Sequence, residues 1–411
     1  MNKILKADKT IFIVIILLML ISALAAGTAH STMAIGKSDF SFIHLIKQIF
    51  YSGLALAAIF IFANIPYQFY SKFANQIYFI ALALMLITII AGVSANEAKR
   101  WLYIPIIGLT IQTSDFARIA MIFIVAKLIS QKKPFSPGMD LLMQKIIILT
   151  APMILLITYG NLSTGLISGL VVITMIFLTS IQYKIFFKKI AIYSLIFIGI
   201  IAFLMIFEIG RGKTWKNRLL KKETNTAIYS QKTQGKIAIA NAPFLIPKPG
   251  SSKQKYVLDN SYSDYIFDIL IEEYGLIGAV VILLLYVILF YRIFLIIKRQ
   301  NRTFPLYLSL GLALNLMIQT FVHIYVNLGI GPVTGQPLPF ISMGGSSTIS
   351  TALQFAIIIN ISYATKTQET KPESENIYIE DEETILDTLT EKVAEPKAEE
   401  IKINDHPILI G

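Results

Sequence analysis

Ten runs of apolar residues are spaced along the chain: Ile11–Ala26, Ile49–Ala63, Ile77–Val93, Phe116–Ile129, Ile146–Ile157, Leu166–Ile181, Ile190–Phe207, Tyr265–Ile297, Tyr307–Leu328 and Ile349–Ile361. A bilayer core is crossed by about 20 helical residues, so the shorter runs must borrow flanking residues. Ile146–Ile157 and Leu166–Ile181 read either as two short spans or as one re-entrant hairpin. Backbone groups in a bilayer must be satisfied internally, so these runs predict helices, and no ten-residue alternation suggests a barrel. The pattern predicts an all-α integral membrane protein of about ten transmembrane helices. A long outer loop, 209–263, separates the seventh and eighth spans. The first run follows three lysines and resembles a signal peptide. With nine further spans behind it, a retained first helix is the better reading.

Composition agrees. Of 411 residues, 55% are hydrophobic and 15% charged, and the mean hydropathy is +0.66, which excludes a soluble enzyme and a disordered chain. The absence of cysteine removes disulfides and thiolate chemistry.

Charge adds orientation. The segment 366–411 carries 13 acidic and 5 basic residues, a net −8, which leaves residues 1–365 at +19. We read 1–365 as the membrane domain and 366–411 as an acidic disordered cytoplasmic tail. With both termini in the cytoplasm, Lys72, Lys132, Lys133, Lys184, Lys188, Lys189, Lys298, Arg299 and Arg302 fall inside, as the bias of short loops requires. The outer loop is rich in lysine, which suits an anionic ligand at the outer surface or contact with lipid headgroups. No compact basic domain stands outside the bilayer, so nucleic acid is not expected as a partner.

Three polar constellations interrupt the apolar pattern. The first is Ser261-Tyr-Ser-Asp-Tyr-Ile-Phe-Asp-Ile-Leu-Ile-Glu-Glu-Tyr-Gly275. On a helix, Asp264, Asp268 and Glu272 would form one stripe. Asp264 lies nearest the outer surface, where a carboxylate can act as general base; Glu272 and Glu273 lie deeper and suit pairing with basic residues. A wholly structural ion-pair network is the competing reading. The second joins Arg100 and Trp101 to Asp115 and Arg118. Arg100 can clamp a phosphate and Trp101 suits an interfacial anchor. Arg118 either pairs with Asp115 along the helix or lines a polar cavity and meets a pyrophosphate or Asp264. The third runs from Phe321 to Ser347. Its glycines and prolines, with Asn327, Pro337 and Pro339 among them, cannot continue a helix. It predicts an irregular re-entrant segment that lines a cavity. Gly344-Gly345-Ser346-Ser347 opens the last span and offers N–H groups to an anion.

Together these segments resemble the SEDS family (shape, elongation, division and sporulation) over roughly Ile11 to Tyr363. Asn327-Leu-Gly-Ile-Gly-Pro-Val-Thr-Gly-Gln-Pro-Leu-Pro-Phe-Ile-Ser-Met-Gly-Gly-Ser-Ser347 is the most specific match. Tyr262–Phe267, Ala95–Trp101 and Asn161–Thr164 are closer to the cell-division branch than to the elongation branch. The resemblance implies a peptidoglycan glycosyltransferase that polymerises lipid II at the outer face of the inner membrane. It makes Asp264 the catalytic base and puts Arg100, Trp101, Arg118 and Gly344–Ser347 at the substrate. Asp115, Glu272, Glu273, Asn327, Pro337 and Pro339 support them. It also implies a divalent cation (Mg or Mn) held by unassigned residues. The implied partners are lipid II, undecaprenyl-linked glycan, a class B penicillin-binding transpeptidase and other divisome proteins. Thr113, Arg118, Asn161, Asp268, His323 and Met343 depart from the family pattern. A lipid-linked precursor flippase and a scaffold without activity are the competing functions.

Overall fold

The structure is a computed structural model. It describes residues 8–29, 42–95, 98–104, 109–131, 138–179, 183–208, 212, 214–216, 231–243, 248–258 and 260–369. Its helices are α1 (Lys9–Ala29), α2 (Phe42–Phe62), α3 (Tyr67–Ala91), α4 (Thr113–Ser130), α5 (Met139–Gly160), α6 (Leu162–Phe177), α7 (Tyr183–Ile206), α8 (Gln231–Ala240), α9 (Ile266–Lys298), α10 (Thr303–Asn327) and α11 (Gly345–Glu369). Eight of these are long and apolar enough to cross a membrane. Two more complete the ten apolar runs: α6, with 16 residues, and α4, which carries Asp115, Arg118 and Lys127 within 18 residues. The chain is a multi-pass membrane protein.

Three short strands join the helices: β1 (Val93–Ala95), β2 (Ala98–Ile104) and β3 (Leu109–Gln112). They form an antiparallel sheet in sequence order, with Trp101 opposite Val93 on one side and Gln112 on the other. Trp101 is half-buried in this sheet, whose β2 strand packs against α3, α4 and α5. The motif residues Asn96 and Glu97 lie outside the described residues.

The uncertain pair of spans resolves into two helices. α5 runs for 22 residues through Pro152, and Asn161 alone separates it from α6. The Asn161 side chain accepts from the Ser163 N–H at 3.1 Å, an N-cap that starts α6 at once. Gly165 then lies against Thr158, where a side chain would collide, so the two helices can fold back tightly.

Helix α9 is not one rod. Gly275 has φ 70° and ψ −170°, a conformation open to glycine. The Pro243 carbonyl occupies the space a Cβ would need. The break frees the Glu273 carbonyl, which accepts from the Lys248 N–H at 2.7 Å. The outer loop thus satisfies the backbone group that the kink exposes.

The core centres on α4, where 14 of 18 residues are buried, with α10 and α11 beside it. By contrast, Phe186 is the only buried residue of α7. Between α7 and the α5–α6 pair lies an apolar cavity of about 440 Å³, lined by residues such as Ile154, Leu166, Ile173 and Phe197. Met1–Tyr363 forms one unit and Ala364–Gly411 a second. Helix α11 continues to Glu369, four residues into the expected tail, and 370–411 lies outside the described residues.

Candidate active site

Asp264 sits on a turn just before α9, not on the helix. The carbonyl of Asn260 accepts from the N–H groups of both Ser263 and Asp264, and Tyr265 is the N-cap. The expected stripe of three carboxylates is therefore corrected: the turn separates Asp264 from Asp268 and Glu272, which alone share the first helical stretch. Asp264 is half-buried. Burial lifts its carboxyl above the usual aspartate range. The Ser263 hydroxyl, 3.2 Å from Oδ1, and the Arg100 charge pull it partly back.

The segment 328–344 is irregular, and its stretch from Gln336 to Ser342 is largely buried. At this depth a buried carbonyl needs a protein donor, and α10, α9 and α1 supply them. His323 Nδ1 faces the Gln336 carbonyl at 2.6 Å, which puts the ring proton on that nitrogen. Gln319 donates to Pro337 O at 2.8 Å, Tyr286 to Pro339 O at 2.5 Å, and Ser22 to Ile341 O at 2.7 Å. Gln48 on α2 donates to Ser22 in turn at 2.6 Å. The Gln336 side chain reaches Thr164 on α6 at 2.8 Å.

This clamped loop frames the base. Ser342 Oγ accepts from the Leu338 N–H and donates to the Ser263 carbonyl, both at 2.7 Å. The Met343 N–H donates to Tyr262 O at 3.0 Å. Asn327 Nδ2 donates to the Asp264 carbonyl at 3.0 Å and to His323 O at 2.9 Å. Gly335, at φ 61°, passes so close that a Cβ would stand 3.4 Å from Asp264 Oδ2. Arg100 donates to the Gly160 carbonyl at 2.9 Å, at the end of α5, and its charge reaches Asp264.

Other expected residues have different work. Arg118 pairs with Asp115 at 2.9 Å and donates to Gln319 at 3.3 Å. Among the described residues it makes no bond to Asp264; its ion pair is the intrahelical one, and its link to the loop runs through Gln319. Glu272 accepts from the Ser252 hydroxyl at 2.5 Å and from the N–H groups of Lys253 and Gln254. It anchors the outer loop through backbone groups rather than through a basic side chain. Glu273 is buried under the same loop and faces Thr28 and Lys255. Asp268 is fully buried against Gly235 of α8, with neither carboxyl oxygen hydrogen-bonded. Pro337 and Pro339 serve through the carbonyls that Gln319 and Tyr286 hold. Gly344 is the residue before α11, and its carbonyl accepts from the Ser347 and Thr348 hydroxyls. Ser346 is buried, and Gly345 lies against the Tyr51 ring.

Sequence reading missed Ser22, Gln48, Tyr286, Gln319 and Ser342. Their available signal is that of isolated polar groups within apolar segments, which need partners inside the protein.

No group of three or more His, Asp or Glu side chains able to hold a metal occurs among the described residues. Magnesium commonly takes one or two carboxylates together with substrate phosphates. Asp264 is read here as the base, and no step is assigned to a cation.

A sequence profile described as "Cell cycle protein", for FtsW, RodA and SpoVE, matches residues 8–367. The chain belongs to this FtsW/RodA/SpoVE family. A relative from Geobacter metallireducens, named "Probable peptidoglycan glycosyltransferase FtsW", is 31% identical over 360 residues, covering 85% of this chain and 94% of that protein. The peptidoglycan glycosyltransferase MrdB of Escherichia coli is 28% identical, covering 86% and 93%. Among solved structures, a chain of a peptidoglycan synthase complex superposes with TM-score 0.68 at 21% identity, covering 87% of this chain and 98% of that one. RodA of Thermus thermophilus does so with TM-score 0.62 at 19% identity, covering 87% and 96%. These last two likenesses establish the shared family fold.

Proposed function

We propose that this chain is a peptidoglycan glycosyltransferase that polymerises lipid II, with Asp264 as general base. The observation that carries the reading is the setting of one carboxylate: part-exposed, at the end of the bundle, and fixed by a loop whose buried carbonyls are paired. Family membership and the names of the relatives support the reaction class.

In this reading Asp264 takes the proton from the sugar 4-hydroxyl of lipid II. The oxygen attacks the anomeric carbon of the growing strand. A new C–O bond forms there as the bond to undecaprenyl pyrophosphate breaks, and the pyrophosphate leaves with that electron pair. Arg100, beside Asp264, offers a cation to phosphate oxygens. The apolar cavity begins at Gly165 and Leu166, next to the Thr164 that holds Gln336, and has the lining an isoprenoid chain requires. The loop's contribution is a rigid base held in position before substrate arrives.

We place Asp264 on the extracytoplasmic side and both termini in the cytoplasm, from the distribution of basic residues in the short connections. A septal role with a class B penicillin-binding transpeptidase and other divisome proteins as partners follows the cell-division features of the sequence. Complementation of a division-depleted against an elongation-depleted strain separates the two branches.

The deciding assay is lipid II polymerisation in proteoliposomes with the transpeptidase present. Asp264→Asn keeps the size and removes the base, and is expected to lose roughly 100- to 10,000-fold in rate. Wild-type polymerisation by that variant would sink the assignment. Lipid translocation that survives in the variant, with polymerisation absent from both proteins, would favour a flippase.

A further inference from the structure

At the end of the bundle opposite Asp264, a second cavity of about 630 Å³ opens between the starts of α3 and α10 and the last residue of α4. Its lining includes Lys72, Arg302, Gln68, Ser71, Asn301 and Thr303, and no carboxylate among the described residues. Thr303 Oγ1 donates to the Ser130 carbonyl at 3.4 Å, which joins α10 to α4 beside the cavity.

Two helices point their N-termini at this space. α3 follows Pro66 and α10 follows Arg302; the Tyr67 N–H at the start of α3 donates to Asn360 Oδ1 at 3.1 Å, and α10 has no side-chain cap. Each contributes the positive end of a helix dipole. Two dipole ends and two cations, with no compensating acid among the described lining residues, raise the local potential. Hydroxyl and amide groups at the rim add neutral donors. An excess of basic residues on one membrane face is ordinary, and Lys298 and Arg299 illustrate it: both are exposed on this same end and do not line the cavity. That bias accounts for charge, but not for its convergence with two helix starts on one hollow.

We infer that this cavity binds a phosphate group, supplied by the headgroup of an anionic phospholipid in the leaflet opposite Asp264. The alternative source of the same chemistry is a free phosphate. A lipid is favoured because Phe69 and Phe73, with tilted rings 4.6 Å apart, flank Lys72 on α3, whose Nζ lies 5.6 Å from the Phe73 ring centroid, and Phe69 is exposed. An acyl chain would meet those rings while the phosphate enters the cavity. The inference needs a membrane-spanning bundle and does not need Asp264 to be catalytic.

The test uses the full chain in detergent, delipidated and followed by native mass spectrometry with added phosphatidylglycerol or phosphatidylethanolamine. A parallel arm measures thermal protection by inorganic phosphate against chloride at equal ionic strength. Wild-type protein should prefer phosphatidylglycerol by about tenfold, a scale set by a few basic contacts to an anionic lipid. K72Q/R302Q should abolish that preference, and K298Q/R299Q should keep it. Both altered positions are exposed, and unchanged melting temperature and Asp264-dependent polymerisation would show that the variants fold. Phosphate protection that needs Lys72 and Arg302, without any lipid preference, would retain the phosphate site and overturn its lipid source. Equal lipid preference in K72Q/R302Q, or neither effect in wild type, would overturn the site.

Discussion

Ser342 donates its hydroxyl to the carbonyl of Ser263 at 2.7 Å, and so couples a buried loop to the residue beside Asp264. The same oxygen accepts from the Leu338 N–H. One small side chain closes the loop on itself and fixes the turn that presents the carboxylate.

Ser342→Ala should leave Leu338 N–H and Ser263 O buried without their partner. Each orphaned group costs about 1–3 kcal/mol. We expect a lowered melting temperature and a fall in kcat larger than the change in KM, because the base loses its fixed position while the substrate cavity is unchanged. Steady-state lipid II polymerisation checks the split.

The pH profile tests the state of the base. Asp264 must be ionised to accept a proton, and burial holds its carboxyl above the ordinary range. Activity should therefore fall as pH drops through that raised value. Arg100→Gln removes a charge that favours the carboxylate, so the acidic limb should move to higher pH, and Arg100→Lys should return it part-way. The stability term has the opposite sign: a carboxyl with a raised native pKa makes the fold more stable as pH falls. Rate and unfolding profiles over the same pH range should diverge.

Gly335→Ala combines two costs. A positive φ disfavours a side chain by roughly 1–2 kcal/mol, and the new methyl would stand beside Asp264 Oδ2. We expect a modest loss of stability and a loss of polymerisation greater than Ser342→Ala produces, since the methyl occupies space next to the reacting carboxylate.

Glu272→Gln addresses the outer loop. The carboxylate gathers the Ser252 hydroxyl and the Lys253 and Gln254 N–H groups, and charge-assisted bonds of this kind are about twice as strong as neutral ones. Hydrogen exchange should accelerate over 250–258, with little change in α10. Unchanged protection there would show that the loop is held by Lys248 and Glu273 instead.

Much of the fold was legible because a bilayer leaves few choices. Each apolar run became a helix, and the glycines and prolines after Asn327 marked an irregular segment. The sheet was not read because Ala98–Ile104 and Leu109–Gln112 are short and lie between two strong helical signals. The break at Gly275 was equally hidden, since a glycine in an apolar run gives no φ until the Pro243 carbonyl comes against it. Helical spacing consequently aligned Asp264 with Asp268 and Glu272, whereas a turn held by Asn260 sets it apart.

The linear chain by itself determined the spans, the opposing charge of body and tail, and the residue types able to serve as base and cation, because hydropathy and ionisation are properties of each side chain in its own stretch. Tertiary structure alone decided which carbonyl each buried hydroxyl or amide would satisfy. Ser22, Tyr286, Gln319 and Ser342 are distant in sequence and ordinary in type, and they become one clamp because a buried backbone group must find a donor wherever the fold brings one.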